Sequence, residues 1–442
     1  MFTRKAMAIF LIIMIVFSLY ITSCNNKNGV GQQREDTEKR EWQGIITIWD
    51  FPRWPDEKGN RFHWIQEKIK EFEKENPGIF IELRKLDWEN GVFELNAALS
   101  SQTYPDIVPN ALNYIYVQQG YVEPVEEYFS KEELRDFYKS ALDALTYDKR
   151  IWGFPVFMTT YAMFLNLDIF RERNVEPPQD GIWTWDEFVT KLKKLTFDRD
   201  GDGKTDVYGF HSFIKEGYYN LWGIITSDGA LPFSDDLTQF TLHYPEGVSG
   251  LEKLVDLVNK HKVTPPEFGK DGPNEAWGAF AENKKIAVYP AGSWAVKVLA
   301  DKQKEGKGFN FGIAGYPVGK LGMPNIIHPC VGGYMLLKQE NEKKREVCVK
   351  FLKRITSPEE QKRFKDYGVF PARKSAGNLY IDNPYFTRIQ EMLGFTTPVP
   401  NHPLWHKIEP ILQREIRKAV LGEKAAKQAL EDAKVEIEML LE

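Results

Sequence analysis

The chain has 442 residues, with 42% hydrophobic and 27% charged side chains and a formal net charge of −5. Acidic and basic residues are interspersed, which argues against a nucleic-acid partner and is typical of a soluble globular protein. One hydrophobic core rarely organises so long a chain, so we expect two lobes or domains.

The first 24 residues have the pattern of an export signal. Arg4 and Lys5 form a charged start, residues 6–20 are almost wholly apolar, and small residues precede Cys24. This order is typical of a secretory signal peptide, and residues 21–24 resemble the lipobox of bacterial lipoproteins, in which the cysteine carries the lipid. The alternative is a transmembrane anchor, because the apolar run approaches the ~20 residues that span a bilayer. Either interpretation places the remaining chain outside the cytoplasmic membrane.

A polar segment follows the signal. Residues 25–41 contain one aliphatic side chain, Val30, among Asn, Gln, Gly and charged residues. Such a segment buries too little apolar surface to offset the entropy lost on ordering it. We therefore predict a lipoprotein signal peptide at residues 1–23, lipidation of Cys24, and a disordered tether over residues 24–43.

Strands and helices are predicted to alternate in the first lobe. Apolar runs predict strands at 45–49, 79–83 and 104–108, and helical spacing predicts helices around 65–72 and 93–99. This β-α-β-α-β order predicts an α/β lobe with a largely parallel sheet. Ligands bind at the carboxyl ends of strands in such sheets, which places Asp50 and Asn110 near a cleft.

Helix signals continue along the chain. Capping boxes predict helix starts at Ser130 with Glu133, Thr184 with Glu187, and Ser357 with Glu360. Amphipathic patterns around residues 408–416 and 430–440 predict two final helices that support a lobe.

Two cysteines remain after Cys24. Cys330 and Cys348 can form one disulfide in an oxidising compartment. Cys348 also falls with Phe351, Leu352 and Ile355 on the apolar face of a helix, so a buried free thiol is the alternative.

An acidic loop is the sharpest local motif. Carboxylates at loop positions 1, 3, 5 and 9, with Gly203 at position 6, match the oxygen cage of a calcium loop. The predicted ligands are Asp198, Asp200, Asp202 and Asp206, with Lys204 offering its backbone carbonyl. Gly209 stands where an EF-hand has a bidentate Glu, so a tight acidic turn without a metal stays open as the alternative.

Catalytic patterns are absent from the sequence. There is no G-x-S-x-G and no H-E-x-x-H, and Pro403 separates His402 from His406, which argues against a helical zinc pair. Facing carboxylates cannot be paired from spacing, so a secreted carbohydrate-active enzyme remains an alternative. A binding protein for an amino acid, a peptide or a metal is a further alternative.

Aromatic residues make up 14% of the chain, and several follow predicted strands or lie in loops. Trp49 and Trp54 flank the end of the first strand, Trp88 follows the second, and Trp294 and Trp405 lie in later loops. Aromatic rings stack on the C–H faces of sugars while carboxylate, amide and backbone groups bind the hydroxyls. Taken singly, each ring is explained by core packing, but the set favours a sugar cleft.

Ten motifs in order give the chain a family resemblance. They are residues 72–78, 104–108, 120–124, 152–156, 165–168, 183–188, the acidic loop with Tyr208-Gly209, 279–284, 292–294 and 332–333. With them the chain resembles the family 1 extracellular solute-binding proteins of ATP-driven carbohydrate importers, which include maltose-binding protein.

The resemblance implies a fold and a function. The implied fold is an α/β, two-lobed periplasmic-binding-protein fold of type II (Venus-flytrap), with hinge crossings near 157–164, 311–318 and 368–373. The implied lobes are 44–157 plus 316–370, and 160–312 plus 374–442. The implied protein is no enzyme: it is a monomer, lipid-anchored on the extracellular face of the cytoplasmic membrane. It captures a mono- or oligosaccharide by lobe closure and delivers it to the permease. No cofactor is required, and the acidic loop is a candidate site for a structural calcium ion.

The resemblance also implies a sugar site between the lobes. Its predicted residues are Trp49, Asp50, Trp54, Trp88, Asn110, Thr159, Tyr161, Trp222, Trp294, Tyr334 and Trp405. Thr159 takes a position where maltose-binding protein has a carboxylate, which argues against a maltose-like ligand.

Overall fold

A computed structural model describes residues 42–110 and 114–442. The predicted signal peptide, the lipidation site Cys24 and nearly all of the predicted tether lie outside these residues. Among the residues that are described, no helix combines the length and the apolar character needed to cross a bilayer.

Fourteen strands are described within these two ranges. They are β1 (Gly44–Asp50), β2 (Ile79–Lys85), β3 (Ile107–Pro109), β4 (Thr146–Tyr147), β5 (Arg150–Ile151), β6 (Phe154–Met158), β7 (Tyr161–Asn166), β8 (Tyr208–Phe210), β9 (Ile286–Gly292), β10 (Phe311–Ala314), β11 (Ile326–His328), β12 (Val331–Leu336), β13 (Phe370–Pro371) and β14 (Thr396–Pro398). The three strands predicted for the first lobe are β1 to β3, although β3 begins at Ile107, later than predicted.

Helices fill most of the intervening chain. The α-helices are α1 (His63–Glu75), α2 (Gly91–Ser100), α3 (Ile115–Gln118), α4 (Lys131–Asp136), α5 (Lys139–Asp143), α6 (Leu167–Glu172), α7 (Trp185–Lys194), α8 (Trp222–Ile225), α9 (Pro245–Asn259), α10 (Pro273–Ala281), α11 (Trp294–Lys304), α12 (Glu342–Ile355), α13 (Pro358–Lys362), α14 (Pro384–Leu393), α15 (Trp405–Val420) and α16 (Ala426–Leu441). Short 3₁₀ segments occur at Glu126–Tyr128, Gln179–Gly181, Arg363–Tyr367 and Lys374–Ala376.

Helix starts follow the sequence signals. Ser130 and Thr184 each form a reciprocal capping box with the glutamate three residues later. The Ser357 hydroxyl accepts the Glu360 N–H. The two predicted final helices are α15 and α16, which pack on each other and on α9.

The first sheet has six strands in the order β13-β6-β12-β3-β1-β2. β1 is parallel to β2 and β3, whereas β12 is antiparallel to both β3 and β6, and β13 is antiparallel to β6. The prediction of a largely parallel sheet is therefore wrong. β12 and β13 come from late in the chain and enter with the opposite direction, which the early strand–helix pattern does not reveal.

The second sheet has four strands in the order β10-β7-β9-β8. β7 is antiparallel to β9 and β10, and β8 is parallel to β9. The two sheets form the cores of two α/β lobes, as predicted. Only residues 159–160 separate β6 in the first sheet from β7 in the second, which defines the first crossing.

The second crossing lies between β10 and β12. Between them β11 pairs in parallel with β14, outside both large sheets. The Tyr316 hydroxyl donates to the Asn220 carbonyl (2.7 Å), so the chain still contacts the second lobe there. It enters the six-stranded sheet only at Val331. The lobe limits given above remain predictions.

Both cysteines that follow Cys24 lie within the described residues. Cys330 and Cys348 are both buried and both free, so the disulfide alternative is wrong and the free-thiol alternative is confirmed. Burial raises the pKa of both thiols, which keeps them protonated and unreactive.

Candidate solute-binding cleft

Both sheets direct strand ends toward the crossings. β1 ends at Asp50, β2 at Lys85 and β3 at Pro109, while β8 and β9 end at Phe210 and Gly292 in the second lobe. Tyr161, the first residue of β7, pairs with Gly292. Side chains just beyond these ends are those that a ligand between α/β lobes contacts.

A buried ionic group closes the end of β1. The Asp50 carboxylate is fully buried and accepts hydrogen bonds from the Phe51 N–H (2.9 Å) and the Tyr334 hydroxyl (2.7 Å). The Arg53 guanidinium lies 3.0 Å from the same carboxylate. Burial alone would lower the pKa of Arg53, but the adjacent Asp50 charge raises it, so this arginine stays charged.

This group contains two of the residues predicted to contact the sugar. Asp50 and Tyr334 are buried and bonded to each other, so in this arrangement they support the site from behind instead of facing a ligand. Arg53 is partly exposed and lies 5.3 Å from the Phe157 ring centroid and 5.4 Å from that of Tyr334. The sequence analysis missed it, although a cation three residues after a strand-end aspartate was a usable signal.

The other first-lobe aromatics differ in their surroundings. Trp49 is buried beneath the Arg84 guanidinium, which lies 4.2 Å from its ring. Trp54 is half-buried and stacks on Tyr367, with ring centroids 4.7 Å apart. Trp88 is 61% exposed, although one face of its ring stacks on Phe51 at 4.3 Å.

Trp49 therefore packs in the core, whereas Trp54 and Trp88 lie at the rim of the sheet. A hydrogen bond from the Trp88 indole N–H to the Pro52 carbonyl (3.1 Å) fixes its ring. Of the three predicted contacts, Trp88 exposes the most ring surface.

Asn110 and Thr159 connect the chain segments at the crossings. The Asn110 amide donates to the Val331 carbonyl (2.9 Å) and accepts the Gly333 N–H (2.9 Å). The Thr159 N–H donates to the Cys330 carbonyl at 2.9 Å. Both hydrogen-bonding ends of the Asn110 side chain are thus used in holding β12 beside β3.

The second lobe contributes the rings of three predicted residues near the strand ends. Trp294 is 47% exposed at the start of α11, with its ring 4.7 Å from that of Trp277. The Tyr161 ring meets the His328 ring edge-on at 4.6 Å. Trp222 is only 1% exposed and packs in the core, so its predicted sugar contact is not available in this arrangement.

Trp405, the first residue of α15, lies beside the loop that follows β8. It is half-buried, and its indole N–H donates to the Tyr219 hydroxyl at 2.9 Å. The neighbouring Tyr218 is 37% exposed in the loop after β8 and was missed by the sequence analysis. The sequence feature that marks this loop is the aromatic pair Tyr218-Tyr219 beside Lys215-Glu216-Gly217.

A separate cavity of about 740 Å³ also lies between the lobes. It is lined by residues 146–149 of the first lobe and by residues 235–237 and 402–404 of the second, among others. It contains none of the predicted sugar-site residues. We therefore keep the exposed aromatics that follow the strands, and not this cavity, as the candidate solute site.

The acidic loop brings three carboxylates together. Oxygen atoms of Asp198, Asp200 and Asp206 lie within 4.8 Å of one another. The Asp198 carboxylate accepts the Gly203 and Gly201 N–H groups, each at 2.7 Å, and these bonds lower its pKa. An oxygen cluster of this kind fits Ca²⁺, so calcium stays a prediction.

Two predicted ligands of the loop stand apart from this cluster. The Asp202 carboxylate accepts the Lys204 N–H at 2.8 Å and is not among the three that converge. Lys204 would contribute only through its backbone carbonyl.

Comparison with known proteins decides the family. The family model described as "bacterial extracellular solute-binding protein" matches residues 67–387. The chain belongs to this family. A putative binding protein of Brucella abortus is 23% identical over 396 residues, which cover 86% of this chain and 90% of that relative. The multiple sugar-binding protein of Streptococcus mutans is 23% identical over 365 residues, covering 79% and 78%.

Solved structures show the same fold. A substrate-binding protein of Listeria monocytogenes, in complex with cycloalternan, has a TM-score of 0.73 at 23% identity and covers 90% of this chain and 99% of its own. The cyclic alpha-maltosyl-1,6-maltose binding protein of Arthrobacter globiformis has a TM-score of 0.74 at 21% identity, with the same coverages. This extracellular solute-binding protein therefore has the two-lobed fold. Because its family consists of binding proteins, the expectation that it is not an enzyme is confirmed.

Proposed function

We propose that this solute-binding protein captures a carbohydrate between its lobes. The observation that carries the proposal is the set of exposed aromatic rings in the segments that follow strands of both lobes, namely Trp88, Tyr218 and Trp294. Exposed rings of this kind stack on sugar faces, and the partly exposed Arg53 offers N–H donors to hydroxyl groups. The names of the relatives, which include an arabinooligosaccharide-binding protein of Bacillus subtilis, agree with a sugar ligand.

Capture is proposed to proceed by lobe closure. A ligand that contacts both lobes favours the closed arrangement by its greater affinity for that state. Residues 159–160 supply a short connection about which the lobes rotate, and the longer segment 315–330 supplies the return to the first sheet at Val331. The closed form then delivers the sugar to the membrane subunits of an ATP-driven importer, with no covalent step.

Attachment to the membrane is proposed to occur through a lipid on Cys24. The apolar run and the small residues before Cys24 support this, and the polar segment after it would let the lobes reach the permease from the extracellular face. Cys24→Ser should move the protein from the membrane fraction to the medium or leave it uncleaved. An unchanged membrane fraction with a cleaved signal would exclude the lipid.

The sugar proposal is tested with a panel of mono- and oligosaccharides. A ligand that binds only the folded protein raises the midpoint of thermal unfolding by mass action. We expect one glycan class to do so. No shift with any glycan, together with a shift by an amino acid or peptide, would replace the sugar proposal with one of those solutes.

A matched pair of variants locates the site. Trp294→Ala should weaken glycan binding by roughly 1–3 kcal/mol because buried ring contact is lost. Phe80→Ala serves as the control, since Phe80 is 61% exposed on the edge strand β2, before the carboxyl end. Titration calorimetry should show an unchanged Kd for the control. Equal effects of both substitutions would remove Trp294 from the site.

A further inference from the structure

One stripe of helix α15 is bonded to the loop that carries Tyr218. Residues 405, 409, 413 and 417 recur every four positions, so they lie on one face of the helix. Each of the four side chains makes a hydrogen bond to the segment 214–219. The four side chains differ in type, and what they share is their spacing and the loop that they contact.

Two central contacts involve backbone groups at the loop tip. The Glu409 carboxylate accepts the Gly217 N–H at 2.7 Å. The Gln413 amide donates to the Tyr218 carbonyl at 3.0 Å and to the Glu409 carboxylate at 3.2 Å. Glu409 and Gln413 are 7% and 6% exposed, so these bonds are shielded from water.

The outer contacts complete the stripe. The Trp405 indole N–H donates to the Tyr219 hydroxyl at 2.9 Å, and the Arg417 guanidinium donates to the Ile214 carbonyl. The loop base is held separately, because the Asn220 amide donates to the Phe213 carbonyl at 3.1 Å. The stripe therefore acts on the loop tip, where Tyr218 is exposed.

Another face of α15, which carries Glu415, contacts the segment before α16 and not the loop. The Glu415 carboxylate is 2% exposed and pairs with Lys418 and Lys424, each at 2.7 Å. Lys424 lies just before α16, so this group joins the last two helices. Glu415 and Glu409 are thus both buried glutamates on one helix, and of the two only Glu409 contacts the loop.

We infer that the stripe Trp405, Glu409, Gln413 and Arg417 is the positioning element of the solute site, which fixes the loop after β8 so that Tyr218 stays at the cleft edge. The inference rests on the proposed function, because it assigns the loop to the ligand site. Glu409 acts through the loop and not on the ligand, since its side chain is buried and its Oε1 accepts hydrogen bonds from Gly217 and Gln413.

Three variants test the inference. Glu409→Ala removes the acceptor for the Gly217 N–H, and loss of a hydrogen bond to a charged group should raise the Kd of the captured glycan about tenfold or more. Glu409→Gln keeps a side-chain oxygen and should restore the Kd to within about threefold of wild type. Glu415→Ala is the control, which should lower the unfolding midpoint with the Kd unchanged.

Hydrogen exchange gives a readout that needs no ligand. Amides of residues 214–219 should exchange faster in Glu409→Ala than in wild type, Glu409→Gln or Glu415→Ala, because the loop tip opens locally. Equal exchange in all four proteins, or the same rise in Kd for both alanine variants, would overturn the inference. If no glycan binds wild type while exchange at 214–219 still responds to Glu409→Ala, the sugar proposal fails, and the stripe still positions the loop.

Discussion

His328 is a buried histidine at the end of β11, beside the crossings. Its Nδ1 accepts the Cys330 N–H at 2.9 Å, which requires the neutral ring. Burial lowers its pKa from 6.5 to about 3. The ring edge faces Tyr161, whose hydroxyl pKa is raised by burial. Protonation of His328 would therefore place an unpaired charge in the interior and break a bond at the second crossing.

The pH dependence of stability follows from this lowered pKa. Between pH 6.5 and about pH 3 the unfolded chain binds the proton and the folded protein does not, so stability is full above pH 6.5 and falls as the pH falls. His328→Asn keeps a side-chain acceptor and cannot titrate. Over this pH window, wild type should lose on the order of 2–4 kcal/mol more of its free energy of unfolding than the variant.

Urea unfolding at a series of pH values measures the difference. Other histidines also titrate, among them His211 and His402, whose pKa values burial lowers. They are common to both proteins, so the difference isolates His328. Parallel curves for wild type and His328→Asn would contradict the prediction.

At the residue scale, the sequence indicates which residue types a sugar site uses, but it does not indicate which of these side chains are exposed. Trp222, Tyr334 and Asp50 were predicted as contacts and are buried, whereas Tyr218 and Arg53 were missed. A tryptophan near a strand end looks the same in sequence whether its ring fills the core or the rim. Burial is decided by residues more than a hundred positions away, and local patterns carry no information about them.

Among the elements, the loop between α7 and β8 carries the calcium prediction. Ca²⁺ bound to Asp198, Asp200 and Asp206 in the folded protein would raise the thermal midpoint by mass action, worth about 2.7 kcal/mol at a hundred times Kd. Asp198→Asn should abolish this response. Asp202→Asn is the matched control, because its carboxylate lies outside the converging group. A wild type that does not respond to calcium, or an Asp198→Asn variant that responds as wild type does, would make the loop a plain turn.

Elements with local signals were predicted well. The final helices and the capping boxes at Ser130 and Thr184 depend on residues within a few positions of one another. The direction of β12 was not predicted, because its place between β3 and β6 depends on pairings such as Tyr334 with Pro109. Long-range pairing sets sheet topology, and strand–helix alternation alone assumes that neighbours in sequence are neighbours in the sheet.

For the whole molecule, closure of the lobes on a sugar is the central prediction. The radius of gyration from small-angle X-ray scattering should fall when the glycan selected by the panel is added at saturation, because the closed state is more compact. Trp294→Ala should show no change at a glycan concentration below its own Kd. Binding seen by calorimetry with a constant radius of gyration would contradict closure.

The passage of the chain between lobes has a consequence for biosynthesis. The six-stranded sheet lacks its inner strand β12 until Leu336 has appeared, and α9, which packs on the earlier helix α8, lacks its two later partners until α15 and α16 have appeared. Neither lobe can complete its core from an N-terminal fragment. If the predicted signal peptide directs export, a chain that crosses a membrane pore from its N-terminus cannot complete the first sheet before residue 371 or the second lobe before the last two helices, which exposes it to aggregation and proteases on arrival.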